Sequence, residues 1–257
     1  MQLGGAVNLN QLIEEKYGRV ICYPKYDAGE LKRRLENLKR LRVVAIEFAG
    51  KKSAFNMPVL GKGCVGIVVI AYTDTGRAAL KIRRLDADRL SMVHEAEMLR
   101  KANGLGVGPR FINVTEDFLL MSFVGGTLFP EWIETLKGRG TNRRLRQVLR
   151  EVLEQCWRLD QGGLDHGELS NAPKHIIVNS NDNPYLVDFE TASTTRRTSN
   201  VTSISQYIFL SKTAKTIRRK LGRADEKELI EALRAYKEEH TRENFEKILN
   251  LCKLRGV

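Results

Sequence analysis

The sequence contains three closely spaced glycines, Gly61, Gly63 and Gly66, between two runs of β-forming residues. Together with Val68 they form the pattern G-x-G-x-x-G-x-V. In a dinucleotide-binding fold such glycines open a helix, whereas here a predicted strand stands on either side of them. The pattern therefore favours a β-hairpin whose backbone N–H groups can approach phosphate oxygens closely. A hairpin with a simple bulge is the alternative.

The distribution of apolar residues predicts an α+β fold in which a β-rich part is followed by a helical part. The pattern becomes helical from about residue 125, and an apolar stripe at helical spacing predicts a buried helix over residues 143–160. The other expected elements are strands at 75–84, 110–114, 118–122, 176–178 and 185–187, a helix at 87–103, and two or three helices after 201.

The first part of the chain is predicted to form a small β-α-β extension. Residues 19–23 read as a strand, leucines on one helical face predict a helix at 27–41, and residues 42–48 read as a second strand. The expected organisation is an extension at 1–52, a β-rich lobe at 53–124 and a reduced helical lobe at 125–257.

The chain is strongly basic, with 43 lysines and arginines against 31 aspartates and glutamates in 257 residues, a formal net charge of +12. This balance favours a polyanionic partner such as nucleic acid or an acidic membrane surface. Residues 191–224 contain eight basic residues and no acidic one, and residues 135–150 contain six basic residues and no acidic one. A solvated surface is the alternative for each run.

The composition excludes several classes of protein. Hydrophobic residues at 42% and charged residues at 29% are typical of a globular chain and not of a disordered one. The start of the sequence lacks a signal-peptide pattern, and no apolar run approaches the roughly 20 residues of a transmembrane helix. A cytoplasmic protein with no membrane partner is therefore expected. The four cysteines are far apart, which predicts neither a zinc site nor a disulfide framework.

A lysine on the strand after the glycines can reach nucleotide phosphates. Lys81 lies in the run Ala-Leu-Lys-Ile, and the following helix carries two carboxylates, Glu95 and Glu97. Helical geometry separates these two by about 200°, so that only one of them can face a nucleotide. We expect Lys81 to pair with Glu95, with Glu97 as the alternative partner. An exposed lysine beside a solvated acidic helix is the simplest competing interpretation.

Two further motifs place carboxylates after apolar segments. Residues 164–170 read Leu-Asp-His-Gly-Glu-Leu-Ser, and residues 185–190 read Tyr-Leu-Val-Asp-Phe-Glu. A turn that carries Glu168 can position a proton acceptor, and a strand that ends in Asp188 is suited to hold a metal carboxylate. Each motif is common by itself, but the motifs in this order indicate phosphoryl transfer.

In this order the motifs resemble those of the protein-kinase-like superfamily, especially its small atypical branch, the RIO kinases. The resemblance implies a two-lobed protein-kinase-like fold with ATP and Mg²⁺ as cofactors. It also implies that Glu168 replaces the catalytic aspartate, that Asp188 binds Mg²⁺ and that Lys81 completes the catalytic set. The residues that it assigns to ATP are Gly61, Lys62, Gly63, Gly66, Val68, Lys81, Glu95, Met121 and Phe123, the last two from the expected hinge between the lobes.

The catalytic turn departs from the usual kinase pattern. Regulated protein kinases have His-Arg-Asp where this chain has His166, Gly167 and Glu168. The arginine that would pair with a phosphate on the activation loop is absent, so switching by phosphorylation there is not expected. Glu190 stands where kinases have a glycine that permits the loop to flip, which favours a fixed loop.

The second metal ligand of kinases is also changed. Pro173 occupies the position of the usual asparagine. His175 aligns with that asparagine if two residues are inserted, and Asn171 is another candidate oxygen ligand. A packed or hydrogen-bonded histidine is the more ordinary interpretation of His175.

A closer similarity is to a compact archaeal family that includes the archaeal RNA kinases, and the strings that carry it are VLGKGCVG, LKIRRLDADR, LDHGELS, KHIIV, VDFETAS and SNVTSISQY. Those enzymes phosphorylate the ribose 2′-hydroxyl of a uridine in the variable loop of tRNA. The similarity implies tRNA or another structured RNA as the partner, and not DNA, because only RNA has a 2′-hydroxyl. The residues expected to contact RNA are Lys174, Arg196, Arg197, Lys212, Lys215, Arg218, Arg219 and Lys220.

Two alternatives remain at this stage. The first is an atypical protein Ser/Thr kinase. The 69 residues after Asp188 (257 minus 188) are too few for a full peptide-binding lobe, and we expect the basic run at 191–224 in its place. The second alternative is a pseudokinase that binds ATP and RNA without transferring phosphate, suggested by Glu168 and the missing asparagine.

Overall fold

The computed structural model of the chain describes residues 5–211, 214–222 and 224–255. The chain divides into two compact units, which consist of Met1–Glu97 with Arg110–Phe123, and of Met98–Pro109 with Val124–Val257. Strands and helices are mixed and the main sheet is antiparallel, so that the α+β class expected from the sequence is confirmed.

The described strands are β1 (Ala6–Asn8), β2 (Val43–Glu47), β3 (Lys52–Ala54), β4 (Met57–Val59), β5 (Gly61–Lys62), β6 (Gly66–Thr73), β7 (Gly76–Arg83), β8 (Phe111–Val114), β9 (Phe118–Ser122), β10 (Thr127–Leu128), β11 (Ile176–Val178) and β12 (Pro184–Leu186). The described α-helices are α1 (Glu15–Ile21), α2 (Ala28–Arg40), α3 (Val93–Gly104), α4 (Phe129–Thr135), α5 (Thr141–Gln161), α6 (Asn200–Ser205), α7 (Ala214–Leu221), α8 (Glu226–Glu238) and α9 (Arg242–Leu251). Short 3₁₀ turns cover Gln11–Ile13 and Leu169–Asn171, and a π-helical turn covers Gln206–Leu210.

The first unit is built on an antiparallel seven-stranded sheet. The strands follow the order β1-β2-β6-β7-β9-β8, and β5 pairs with β6 outside this path. Strand β6 is almost entirely buried because its residues are apolar on both faces. The hairpin between β6 and β7 closes where Thr73 pairs with Gly76, and it sets Lys81 of β7 opposite Val68 of β6.

The segment before the glycines differs from its prediction at one element. The predicted strand at residues 19–23 is wrong, because these residues form the end of helix α1 and the turn after it. Val20, Ile21 and Cys22 are all fully buried, and the periodicity of so short an apolar run does not distinguish a strand from a buried helix. The segment therefore runs β1-α1-α2-β2 instead of β-α-β, and both of its strands belong to the main sheet.

A buried ion cluster joins helix α2 to the sheet. Asp117, just before β9, is fully buried and accepts hydrogen bonds from Arg34 of α2 and Arg83 of β7, both at 3.1 Å. A nitrogen of Arg33 lies 2.8 Å from the same carboxylate. Arg34 is also fully buried and donates to the carbonyl oxygen of Ile21. Buried charges are tolerated when they are paired in this way, and the cluster fixes α2 on the first unit.

Helix α5 is the longest described helix of the second unit. The apolar stripe predicted from the sequence is buried along it, at Leu145, Val148, Leu149, Val152, Leu153 and Cys156. The loop after α5 carries Glu168, and strand β12 of a small three-stranded sheet leads to Asp188. None of the described helices has the length and apolar character needed to cross a membrane.

Candidate functional site

Lys81 and Glu95 form a buried ion pair in the first unit. The Lys81 ammonium donates a hydrogen bond to Oε1 of Glu95 at 3.0 Å and lies 2.8 Å from Oε2. Each side chain is only 6% exposed. Glu97, the alternative partner, lies on the exposed face of α3. Of the two partners considered from the sequence, the structure pairs Lys81 with Glu95.

The glycine-rich segment owes its three glycines to different causes. A Cβ atom at Gly66 would come within 3.0 Å of Cγ of Lys81 and of the carbonyl oxygen of Ile82. Packing against Lys81 therefore explains this glycine. At Gly61 and Gly63 a Cβ would meet nothing closer than 3.5 Å within the described residues. A ligand that must approach the backbone closely, such as a nucleotide phosphate, gives a reason for glycine at these two positions.

Two more residues expected to contact ATP lie beside this segment. Val68 is the direct neighbour of Lys81 across the β6–β7 pair. Lys62 is exposed, and its ammonium lies 4.7 Å from the centre of the Tyr23 ring. In this arrangement Lys62 makes a cation–π contact and remains at the surface.

The two residues expected from the hinge lie at the end of the first unit. Met121 is partly buried in strand β9, where it pairs with Ala79. Phe123 follows that strand and packs against Arg77, whose guanidinium lies 4.2 Å from the ring centre. Both residues are partly exposed, as an adenine contact requires.

The second unit brings Glu168, His175 and Asp188 together. Nε2 of His175 lies 2.7 Å from Oε2 of Glu168, and its Nδ1 lies 3.7 Å from Oδ2 of Asp188. The histidine is fully buried, whereas the two carboxylates are 28% and 27% exposed. Burial lowers the pKa of His175 and so favours its neutral ring. One ligand atom from each residue lies within 4.8 Å of the other two, which is a spacing that can hold a metal ion.

The chemistry of this group fits Mg²⁺. Magnesium prefers oxygen ligands and is commonly held by one or two carboxylates together with water and substrate phosphates. Glu168 and Asp188 supply two partly exposed carboxylates. Imidazole is not a preferred ligand of Mg²⁺, so the two carboxylates are the better ligands of this group. The φ of Asp188 is +72°, and such backbone strain in a residue other than glycine is typical of functional positions.

The metal ligands expected from the sequence differ from this group in one member. The expectation named Asp188, His175 and Asn171, whereas the structure groups Glu168 with the first two. Asn171 is exposed at the end of a 3₁₀ turn, where its backbone N–H donates to the carbonyl oxygen of Glu168. Glu168 was assigned from the sequence as a base only, because no spacing rule links it to His175.

The turn that carries Glu168 is tied to residues 191–199. Asp165 and Ser193 exchange two backbone hydrogen bonds, at 2.8 and 2.9 Å. Nε of Arg196 donates to the Asp165 carboxylate at 2.9 Å. These contacts hold the segment after Asp188 against the turn.

Glycine at position 167 is required by the same contacts. The φ of Gly167 is +89°, and a Cβ atom there would lie 2.6 Å from Nη2 of Arg196 and 2.8 Å from Oγ1 of Thr191. The adjacent His166 is fully buried, with Nε2 3.1 Å from the carbonyl oxygen of Val187. Burial lowers the pKa of His166 to about 4. Glycine is therefore the residue that this closely packed turn accommodates between His166 and Glu168.

A second network fixes the turn from helix α5. The buried Asp160 carboxylate accepts hydrogen bonds from the backbone and side-chain nitrogens of Asn200 and from the backbone of Val201, at 2.8 to 3.1 Å. It also accepts one from the Tyr236 hydroxyl at 3.0 Å. Oδ1 of Asn200 in turn accepts the backbone N–H of His166 at 2.8 Å. Burial raises the pKa of Asp160.

Four of the eight cations expected to contact RNA donate hydrogen bonds within the described part of the protein. These contacts are Arg196 with Asp165, Arg197 with the carbonyl oxygen of Lys237, Arg218 with Glu226, and Lys220 with the carbonyl oxygen of Leu136. Lys174 is exposed, with Nζ 3.8 Å from Oε2 of Glu168. Lys215 and Arg219 are exposed and make no ion pair with the rest of the described chain. Lys212 lies outside the described residues.

The contacts that sequence reasoning missed are between distant residues. Arg196 and Asp165 are 31 positions apart, and Asn200 and Asp160 are 40 positions apart. Local spacing carries no signal for such pairs. The only trace in the sequence is polar residues within otherwise apolar segments, as at Asp160 in the stripe of α5.

Comparison with known families shows that residues 70–210 match the RIO domain. The match spans slightly more than half of the chain and includes Lys81, Glu95, Glu168, His175 and Asp188. A search of the curated proteins found no match to the chain. A RIO domain has a kinase-like fold, which agrees with the glycine-rich hairpin, the lysine–glutamate pair and the carboxylate group described above.

Proposed function

Because the chain belongs to the RIO domain family of atypical kinases and ATPases, we propose that it is an ATP-dependent RNA kinase. The reaction would transfer the γ-phosphate of ATP to a ribose 2′-hydroxyl of tRNA, with a uridine of the variable loop as the acceptor. The choice of acceptor rests on the similarity of the strings LDHGELS, VDFETAS and SNVTSISQY to the archaeal RNA kinases.

The group formed by Glu168, His175 and Asp188 carries this proposal. Phosphoryl transfer asks little covalent chemistry of the protein and depends on positioning and electrostatics. Glu168 is partly exposed and can orient a hydroxyl and accept its proton. His175 is buried behind it, with Nε2 2.7 Å from Oε2 of that carboxylate.

The nucleotide phosphates require positive charge. Lys81, held by Glu95, would contact them as a fixed cation. Asp188, together with Glu168, would hold Mg²⁺, which neutralises phosphate charge when bound. Gly61 and Gly63 would let the backbone lie close to the phosphates.

Charge and chemistry favour RNA as the acceptor. A net charge of +12 favours a polyanion over an ordinary protein substrate. A carboxylate that activates a 2′-hydroxyl also makes the reaction selective for RNA over DNA, since DNA lacks that group. The same site could serve a serine or threonine hydroxyl, so the test must compare both acceptors.

The test is transfer of label from γ-labelled ATP with Mg²⁺ to an unmodified tRNA transcript and, separately, to casein. We expect labelled tRNA, loss of the label after RNase treatment, and a 2′-phosphorylated nucleoside by mass spectrometry of the digest. Labelled casein with unlabelled tRNA would instead support a protein kinase. No transfer to either acceptor, with ATP binding retained, would support a pseudokinase.

Glu168→Gln is the decisive variant. Removal of a general base typically lowers the rate by about 10² to 10⁴ fold, and we expect a loss in that range with the urea midpoint retained. Glu134→Gln is the matched control, because Glu134 is an exposed glutamate in the second unit. Equal turnover of Glu168→Gln and Glu134→Gln would exclude Glu168 as the base.

A further inference from the structure

Two acid-free basic runs of the sequence meet in the second unit. Nζ of Lys220, in α7, donates a hydrogen bond to the carbonyl oxygen of Leu136 at 3.1 Å. Leu136 lies at the start of the loop between α4 and α5, 84 positions earlier in the chain. The contact brings the last turn of α7 against the loop that leads into α5. The two runs are therefore neighbours in space.

Both partners of this contact present exposed cations. On α7, Lys215 and Arg219 are exposed and are four positions apart, so they lie on one face of the helix, opposite the buried Ile217 and Leu221. The loop and the first turn of α5 add three further exposed cations, Lys137, Arg139 and Arg143. Within the part of the chain that the structure describes, none of these five cations makes an ion pair. We call the five residues the α5–α7 surface.

Two acidic groups near this surface are paired with arginines that do not belong to it. Asp182 accepts two hydrogen bonds from Arg144, at 2.6 and 2.8 Å, and its pKa is lowered by this contact. Glu226 pairs with Arg218. Each of these two pairs has no net charge, so neither pair compensates the positive charge of the α5–α7 surface.

The cations at the start of α5 are placed unfavourably with respect to the helix dipole. The N-terminal end of a helix is its positive end, where carboxylates stabilise and cations destabilise by a few tenths of a kcal/mol each. The first turn of α5 contains no acidic residue but holds Arg143 and Arg144, and Gly140 provides no side-chain cap. Arg144 has a structural reason in its contact with Asp182. Arg143 has none within the described residues, and a ligand outside the chain would explain it.

We propose that the α5–α7 surface docks the phosphate backbone of the RNA that the enzyme modifies. The proposal deepens the RNA kinase assignment and rests on it for the identity of the polyanion. A surface of unpaired arginines and lysines that spans a loop and two helices suits a folded polyanion more than a single small anion. The docking would position the RNA without reading its sequence.

The test is binding of an unmodified tRNA transcript to the full chain by fluorescence anisotropy over a range of salt concentrations. Two double variants remove charge from the two halves of the surface: Arg139→Gln with Arg143→Gln, and Lys215→Gln with Arg219→Gln. Each lost phosphate contact lowers the slope of log K against log salt by about 0.7 to 0.9. We expect each double variant to lower the slope by about 1.5 and to weaken binding about 10-fold near physiological salt.

The matched control is Lys32→Gln with Arg40→Gln. Both residues are exposed cations on α2 in the first unit, so this variant loses the same formal charge at a different place. It should keep the wild-type slope to within about 0.5. The urea midpoint should be unchanged in all three variants, or slightly raised where Arg143 is replaced, which excludes unfolding as the cause of weaker binding.

The outcomes separate this proposal from the proposed reaction. If the wild type labels tRNA but the surface variants bind it with the wild-type affinity and slope, the docking surface is wrong and the reaction stands. If the variants lose tRNA binding although the wild type transfers no phosphate, the surface stands and the reaction is wrong. If the wild type does not bind tRNA, or if the variants lose only binding to vesicles that contain phosphatidylserine, the assignment of the surface to RNA is overturned.

Discussion

Gly167 lies between the buried His166 and the candidate base Glu168, with a left-handed backbone φ of +89°. A side chain there would be strained and would also contact Arg196 at 2.6 Å. We expect Gly167→Ala to cost about 1 to 3 kcal/mol of unfolding free energy. We also expect it to lower the kcat of tRNA labelling, because the displaced turn carries Glu168.

The control for this variant is Gly163→Ala. Gly163 also has a left-handed φ, of +66°, but a Cβ there would meet nothing within 4 Å. The control therefore carries the backbone strain without the clash. Urea denaturation and labelling rates of the two variants measure the difference, and equal losses would show that the contacts of Arg196 do not fix the turn.

Lys81 has two candidate partners on helix α3. Glu95 is buried against Lys81, whereas Glu97 is exposed on the same helix. We expect Glu95→Gln to lower kcat for tRNA labelling by at least about 10-fold, because it removes the buried ion pair that positions the Lys81 ammonium. Glu97→Gln should retain the wild-type rate. Labelling assays at saturating ATP compare the two, and a loss with Glu97→Gln alone would reverse the assignment.

Single residues also show where prediction from the sequence stopped. The sequence left Glu95 and Glu97 as alternatives because both lie on one helix, and only the orientation of α3 beside β7 decides between them. The role of Gly167 could not be predicted either. Its reason is a contact with Arg196, 29 positions later (196 minus 167), that no local pattern records.

Elements with strong periodicity were predicted better than single residues. The stripe of α5 is buried as expected, because apolar residues repeat over about three helical turns and leave one consistent face. The strand expected at residues 19–23 was wrong, since five apolar and polar residues fit a helix end equally well. Length and repetition of the pattern account for the difference.

Asp160 connects three elements, because its carboxylate on α5 binds the start of α6 and Tyr236 of α8. Asp160→Asn replaces an acceptor of several bonds with a group that also carries donors. We expect a loss of about 2 to 4 kcal/mol of unfolding free energy, because the amide keeps only one acceptor oxygen and the donors that bind the other carboxylate oxygen lose theirs. The kcat of tRNA labelling should also fall, since Asn200 holds the backbone of His166.

Tyr236→Phe is the comparison for Asp160. It removes one hydrogen bond of the same carboxylate and leaves the bonds to Asn200 intact. The expected cost is about 1 kcal/mol, with kcat retained. Urea denaturation measures the cost in unfolding free energy, and steady-state rates measure kcat. An equal fall of kcat in both variants would contradict the network.

At the scale of the whole chain, the order of motifs could be predicted while the contacts between them could not. The glycines, Lys81, Glu168 and Asp188 lie in the order that a kinase-like chain requires, and each sits within or near an element that periodicity can locate. The ion cluster around Asp117 is different. Arg34 and Asp117 are 83 positions apart, and neither residue is unusual in its local sequence.

The Asp117 cluster makes the stability of the chain depend on pH. Burial opposes ionisation of Asp117, but hydrogen bonds and charges from Arg33 and Arg34 hold its pKa below the ordinary value of 3.8. The unfolded chain therefore binds more protons than the folded one just below pH 4, so stability rises with pH in that range. The contribution is complete above about pH 4 and is lost as the pH falls through the lower folded pKa.

Asp117→Asn tests this dependence. It removes one of the two carboxylates that pair with the fully buried Arg34, which keeps Glu30 at 2.8 Å, and we expect a loss of about 1 to 3 kcal/mol at neutral pH. The difference in unfolding free energy between about pH 5 and about pH 3, measured with urea, should shrink in this variant because the titrating group is gone. Asp74→Asn is the control, since Asp74 pairs with Arg42 at the surface, where the two side chains are 52% and 78% exposed. The same pH difference in Asp117→Asn as in wild type would mean that other carboxylates govern the acid stability of the first unit.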